Sequence, residues 1–416
     1  MTAFLCLHAF AQIKSGLPAL HEPERCDHQR LSGSRGWRYP AGMVANLSTP
    51  PTVVPVGDNP VPIWGMTNAE RLRRMAVARK LPFGEAAGGD VLLANLAFAF
   101  DPSWLPHLLA LPGTVLTRAG VPVLAHVVTA DQAGRVRAAM LADRPLAADD
   151  LAVIEAEDEN GIFNEALRKR ERPFAERLTP ASVPAIERAS YTGAYKGVTD
   201  LLTKYLWPEW ALWLTRLCAR AGISPNQVTA IGSVLCIIAT VAFWYGWFWS
   251  GLAIGLVFMV LDTVDGKLAR CTITSSALGN AWDHGVDLVH PPFWWWAWAT
   301  GCAAYGRPLD HDTFVAVIAA MLFGYVAQRL IEGAFIARFG MHIHVWERFD
   351  SRFRLVTARR NPNMVILFAG LLIGRPDWGI VAVAVWTMLS LVVHLVRLGQ
   401  AMAAKARGRR IVSWLA

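Results

Sequence analysis

Four aspartates stand in the stretch LDTVDGKLARCTITSSALGNAWDHGVD, Leu261 to Asp287, between two of the most apolar segments of the chain. Asp262 and Asp265 are three residues apart, and Asp283 and Asp287 are four apart. On helices each pair projects from one face, and the short link CTITSSAL lets the two faces meet. An ionised carboxylate inside a bilayer is costly, so acids in such a place are candidates for function. Four carboxylates facing one another cannot all ionise unless cations sit among them. Hard oxygen ligands of this kind suit one or two Mg²⁺ or Mn²⁺ ions, which clamp phosphate oxygens. Gly266 and Gly279 allow backbone or ligand to approach closely. Ala269 and Arg270, about two turns beyond Asp262, leave room beside the helix and offer a guanidinium to a diphosphate.

The elements that must carry these residues are apolar helices. The chain has 416 residues, 54% of them hydrophobic and 17% charged, but the apolar character is uneven. Up to about Asp200 it reads as ordinary soluble protein, whereas beyond Val228 it falls into stretches of about 17–25 apolar residues, enough to cross a bilayer core. The expected fold is an α-helical membrane protein with six transmembrane helices and an interfacial amphipathic helix, preceded by a soluble α/β domain. The candidate spans are about Val228–Trp247, Gly251–Arg270, Gly279–Ala303, Thr313–Ile336, Met364–Ile373 with flanking residues, and Trp378–Val396. Residues 1–50 read as a disordered extension or a start assigned too early, with Met43 as the alternative start. Residues 51–185 form the α/β domain, 186–227 a linker with the interfacial helix, 228–400 the membrane domain and 401–416 a basic tail.

In the linker, Trp207, Trp210, Trp213, Leu214 and Leu217 recur at helical spacing opposite Lys204, Glu209, Arg216 and Arg220, the pattern of a helix lying in the membrane surface. Basic residues gather in the connection after the fourth span and in the tail, while the alternate loops WFWSG, YGRPLDHD and GRPDWG are nearly free of them. That bias places both termini in the cytoplasm, the protein being multi-pass in the inner membrane. The net charge of +8 therefore points to anionic lipid head groups and phosphorylated substrates rather than nucleic acid. Six scattered cysteines without a CxxC pair read as reduced and structural.

Asp262, Asp265-Gly266, Ala269-Arg270, Gly279, Asp283 and Asp287 follow without departure the pattern D-x2-D-G-x2-A-R-x8-G-x3-D-x3-D. The chain resembles the CDP-alcohol phosphotransferase family on these eight residues, over roughly Tyr195 to the C-terminus. The resemblance implies a six-helix membrane enzyme that moves a phosphoalcohol from a CDP-alcohol, such as CDP-diacylglycerol, to an alcohol or phosphoalcohol acceptor with release of CMP. It implies two Mg²⁺ or Mn²⁺ ions held by Asp262, Asp265 and Asp283, with Asp287 completing the metal site and acting as general base. It also places Asn226 and Thr229 of the P-N-x-x-T segment, with Gly266, Ala269, Arg270 and Gly279, around the cytidine diphosphate. A homodimer is implied by resemblance only.

Residues Thr52 to about Pro180 alternate between β-like runs and amphipathic helical stretches, which argues for a mainly parallel sheet. The segments PVPIWGMTNAERLRRMAVARK, GGDVLLANLAFAFDPSWLPHLL and LRKRERPF resemble sugar-phosphate nucleotidyltransferases, and the arrangement resembles fused cytidylyltransferase and phosphotransferase proteins of inositol phospholipid synthesis. Only VVPVGDNP stands where a glycine-rich phosphate loop belongs, so this domain reads as degenerate. An acceptor carrying its own phosphate would need fixed cations, for which Arg329, Arg354, Arg359 and Arg360 are candidates. His290, beside Pro291 and Pro292, is expected to pack rather than to bind metal. The competing classes are an inactive membrane scaffold displaying the N-terminal domain and a secondary transporter, which also keeps midplane acids.

Overall fold

A computed structural model describes residues 50–86, 90–147, 150–158, 161–164 and 169–415. The extension read over residues 1–50, with Met43, lies outside them except for Pro50. The N-terminal part is built on β1 (Thr52–Val56), β2 (Val91–Asn95), β3 (Phe98–Phe100), β4 (Thr114–Arg118), β5 (Val121–Val127) and β6 (Ala152–Glu155). Five of these form one sheet in the order β1-β2-β5-β4-β6. β1 pairs in parallel with β2 and β4 with β6, while β5 runs antiparallel to both β2 and β4.

The sheet is therefore mixed rather than mainly parallel. Ala119 and Gly120, both left-handed at φ 50° and 77°, turn β4 directly into β5. A two-residue turn of that hand matches the twist of antiparallel strands, and a parallel pairing would need a long crossover.

Alternation along β2 sends Leu92 and Ala94 into one core and Val91 and Leu93 into another. Helices α1 (Asn68–Ala78) and α2 (Trp104–Leu109) cover the first face with Leu72, Met75, Trp104 and Leu108. Helix α3 (Ala130–Ala142) covers the second with Val136 and Met140. Short strands β7 (Ile162–Asn164) and β8 (Lys169–Glu171) pair with each other, and β9 (Ala175–Arg177) pairs with β3.

The remainder is helical: α4 (Val183–Gly193), α5 (Leu201–Tyr205), α6 (Pro208–Arg220), α7 (Pro225–Trp244), α8 (Phe248–Cys271), α9 (Ala277–Ala304), α10 (His311–Phe339), α11 (Arg348–Phe353), α12 (Arg360–Leu372) and α13 (Pro376–Ala406). Helices α7, α10 and α13 are long and apolar enough to cross a membrane, which makes the chain an integral membrane protein. Helices α8, α9 and α12 occupy the other three expected span positions; α8 and α9 carry the acidic stretch and α12 has 13 residues. Where α7 meets α9 the backbones nearly touch, since a Cβ on Gly301 would stand 1.9 Å from the Phe243 carbonyl oxygen. Among the described residues, four free cysteines, Cys218, Cys236, Cys271 and Cys302, are buried in these helices, as small hydrophobes.

Helix α6 departs from the stripe expected of it. Trp207 is fully buried with Ala211 and Leu212 in the membrane-side core, while Trp210 and Trp213 remain 54% and 64% exposed. The reason is the N-terminal part, whose Ile63, Trp64 and Met66 join that same core. Glu187 of α4 fixes the junction by accepting from Arg216 Nε at 2.8 Å and from the Trp64 amide at 3.3 Å. Arg74 of α1 donates to the carbonyl of Thr272, the residue that ends α8, at 2.9 Å.

Candidate active site

Helices α8 and α9 are joined by the five residues Thr272–Ser276, and the turn is short because both ends are capped. Thr272 closes α8, Ile273 takes a left-handed φ of 55°, and the Ser276 hydroxyl accepts the Gly279 amide at 3.0 Å to start α9. The reversal brings one carboxylate oxygen each from Asp262, Asp283 and Asp287 within 4.8 Å of one another.

Asp265 takes a different partner. Its carboxylate accepts the Thr229 hydroxyl of α7 at 2.6 Å, and Thr229 in turn sits one helical turn above Pro225, whose carbonyl it also reaches at 3.1 Å. The start of α7 is locked by a reciprocal cap in which Ser224 and Gln227 satisfy each other's backbone amides. Asn226 approaches from that same cap. A Cβ on Gly279 would stand 2.5 Å from Asn226 Oδ1 and 2.9 Å from Ser276 Oγ, so only glycine lets this contact form.

Arg270 is held from behind by the Ala194 carbonyl, to which its Nε donates at 3.1 Å. Lys267, 3% exposed, donates to the same carbonyl at 3.1 Å, and its ammonium lies 3.0 Å from the centre of the Tyr195 ring. A strap from the end of α4 thus runs under the acidic stretch. Ala269 is half-buried on the same helix.

Of the four arginines singled out for an acceptor, one reaches the acids. Arg360, the first residue of α12, donates from Nη1 to Asp287 at 2.7 Å and from Nη2 to Asp262 at 2.6 Å. Arg359 and Arg329 instead pair with Glu332, the latter at 3.2 Å. Arg354 lies near Asp200. Burial alone would raise the Asp200 carboxyl, but Arg354, the Thr203 amide and hydroxyl and the Asn361 side chain hold it below the ordinary carboxylate value. His290 packs against Phe258 and Trp294 and hydrogen bonds the Val286 carbonyl at 2.6 Å, as expected of a packing residue. His284 places its Nδ1 3.6 Å from Asp283.

Several participants escaped the sequence reading. Glu332, His344 and His394 converge with ligand atoms within 4.8 Å of one another, and neither ring nitrogen of the buried His394 has a hydrogen-bond partner among the described residues. Glu332 had a legible signal, an acid three residues from Arg329 inside an apolar helix. The histidines come from a short 3-10 turn, Ile343–Val345, and a distant helix and carried none. Pro291 and Pro292 lie inside α9, where Pro292 cannot donate to the Leu288 carbonyl. The Tyr325 hydroxyl of α10 fills that gap at 3.0 Å.

With this geometry in hand, comparison with known proteins gives three findings. Residues 222–408 match the family model described as CDP-alcohol phosphatidyltransferase. Cholinephosphotransferase 1 of Danio rerio is 33% identical over 129 residues, covering 28% of this chain and 32% of that protein. Its Gallus gallus counterpart is 34% identical over 127 residues, covering 28% and 36%. The chain thus spans about a third of the length of the curated relatives it matches. Among solved structures, the phosphatidylinositol phosphate synthase of Mycobacterium tuberculosis in complex with manganese and citrate is similar at 17% identity and TM-score 0.36, covering 45% of this chain and 88% of that one. Residues 222–408, which contain all eight residues of the acidic motif, are thus similar to the CDP-alcohol phosphatidyltransferase family.

Proposed function

We propose that this protein transfers a phosphoalcohol group from a CDP-alcohol to an acceptor hydroxyl and releases CMP, in phospholipid or inositol-phosphate synthesis. The observation that carries the reading is the convergence of Asp262, Asp283 and Asp287 to within 4.8 Å, with Asp265 held beside them by Thr229. Oxygen donors from separate helices at such spacing fit Mg²⁺ or Mn²⁺, whose bonds to oxygen are about 2.0–2.2 Å. Asp262, Asp265 and Asp283 would hold two such ions, with Asp287 completing the set. When bound, the ions neutralise the diphosphate and stabilise the charge on the departing CMP.

The chain's own residues do the rest. Thr229 fixes the rotamer of Asp265, and Asn226 and Gly279 frame the start of α7 for the cytidine. Gly266 and Ala269 keep the α8 face low beside the diphosphate, and Arg270 faces it. Asp287 takes the proton of the acceptor hydroxyl as its oxygen attacks the β-phosphorus. Arg329, Arg354, Arg359 and Arg360 supply cations for an acceptor that carries phosphate.

The N-terminal α/β part is read as a degenerate nucleotidyltransferase-like domain. After β1 the chain turns at Gly57, and Asn59 spends its side chain on the Leu178 carbonyl at 3.1 Å and the Val61 amide at 3.0 Å. The CDP-alcohol is then supplied by another enzyme. Helices α7–α10, α12 and α13 serve as six spans with both termini cytoplasmic, and Trp210, Trp213 and Leu217 of α6 rest in the membrane surface. A homodimer in the inner membrane completes the reading.

The test is direct. Purified protein in detergent with Mg²⁺ is offered CDP-diacylglycerol and other CDP-alcohols with alcohol and phosphoalcohol acceptors, and CMP is followed with time. Absence of CMP with every pair would leave the scaffold or transporter classes; mass spectrometry of the lipid product names the acceptor.

A further inference from the structure

We propose that Arg360 is a built-in counter-cation of the aspartate cluster, which leaves Asp262 and Asp287 when a divalent ion enters; this rests on the metal-dependent reading above. The guanidinium bridges the two acids at 2.6 and 2.7 Å, and its Cζ lies 5.1 Å from the centre of the Phe258 ring. It therefore engages two of the three carboxylates whose ligand atoms lie within 4.8 Å of one another. A divalent ion and Arg360 compete for the same oxygens, and two cations in one small space repel each other.

The neighbouring residue shows what a permanent pair looks like. Arg359 is bound to Glu332, which also receives Arg329 and His344, so one carboxylate answers two guanidiniums. The carboxylate there is already saturated, and positive charge is in excess. At the aspartates the balance is reversed, with one guanidinium touching two of four acids gathered from α8 and α9. Consecutive arginines at one helix start thus face opposite electrostatic situations, and only Arg360 has cause to give way.

The anchor behind it is equally specific. Arg360 Nε donates to Asn361 Oδ1 at 3.0 Å, and Asn361 Nδ2 donates to Asp200 at 3.1 Å and Thr203 at 3.2 Å in the cap of α5. That chain ties the base of the guanidinium to the linker while its two Nη atoms exchange partners. Without an ion, Arg360 keeps the like charges together; with one, it is released beside the diphosphate.

The experiment measures Mn²⁺ binding to the full chain in detergent by electron paramagnetic resonance, together with thermal melts with and without Mn²⁺. Arg360→Gln is expected to bind Mn²⁺ about tenfold tighter or more, since it removes a competing unit charge at contact distance. It should melt lower than wild type without Mn²⁺ and gain more from its addition. Arg360→Lys, which keeps the charge but cannot bridge two carboxylates, should fall between, and serves as the measured variant if the glutamine protein does not fold. Arg359→Gln should melt lower by the same amount with and without Mn²⁺. Wild-type or weaker Mn²⁺ affinity in both Arg360 variants overturns the proposal while leaving the metal-dependent reading intact; failure of the wild type itself to bind Mn²⁺ overturns both.

Discussion

Asp287 and Asp262 are held by one guanidinium, yet their assigned tasks differ. If Asp287 is the base, Asp287→Asn abolishes CMP release while CDP-alcohol still binds, because the amide keeps the shape and loses the proton acceptor. An active asparagine variant would end that assignment. Gly279 offers a separate test of the proposed cytidine site. Gly279→Ala drives a Cβ to 2.5 Å from Asn226 Oδ1, so KM for the CDP-alcohol should rise at least about tenfold, about 1.4 kcal/mol of binding, with kcat less affected. A uniform loss of folded protein instead would mean that Asn226 is structural. Lys267 is a buried cation with one carbonyl and the rings of Tyr191 and Tyr195 for company, and Arg270 still satisfies that carbonyl if it goes.

At the scale of elements, the site depends on how closely α7, α8 and α9 pack. Gly301 is where α7 and α9 approach most tightly, and Gly301→Val should lower stability by about 1–3 kcal/mol, read from a thermal melt, as the helices are forced apart. Because α7 also carries Thr229, CMP release should fall at temperatures where the variant is still folded. Retained activity would show that the Thr229–Asp265 contact survives such a shift. The strap from α4 works on the other side of α8, where Tyr195 and the Ala194 carbonyl receive Lys267 and Arg270.

For the whole molecule, the decisive feature is that the α/β part is not hung on a loose tether. Arg74 joins α1 to the end of α8 and also pairs with Glu70 at 2.7 Å, while Arg73 takes the other Glu70 oxygen. Arg74→Ala should destabilise the protein by about 1 kcal/mol for the lost hydrogen bond and reduce CMP release as well, although the residue lies outside the membrane region. Hydrogen bonding to Arg73, then to Arg74, lowers the Glu70 carboxyl from 4.5 to about 2. A lowered acid contributes stability above its unfolded value and loses it on protonation. The junction should thus hold above about pH 4.5 and weaken as pH falls toward 2, seen as a lower melting temperature that Glu70→Gln no longer shows. Topology is tested by labelling: Arg410→Cys should react from the cytoplasmic side alone and Pro308→Cys from the opposite side alone.

Much of this was legible in one dimension. Residues three and four apart share a helix face by the geometry of the helix alone, so the pairs Asp262/Asp265 and Asp283/Asp287, the apolar helices and the short reversal between them could be read directly from spacing. The same logic located the motif and the family resemblance it carries. It had less hold on the N-terminal sheet, where the left-handed pair Ala119-Gly120 turned an expected parallel pattern into a mixed one. It also could not tell that Trp207 would be buried by the α/β part while Trp210 and Trp213 were left outside.

What neutralises the acids was decided only in three dimensions. Arg360 lies 98 residues from Asp262 and 73 from Asp287, and Thr229 lies 36 from Asp265. Contacts across such separations depend on the rotation and register of packed helices, which are set by close approaches such as Gly301 on Phe243 rather than by any local spacing. Helical periodicity determines which side chains leave a helix together; packing alone determines which charges they meet.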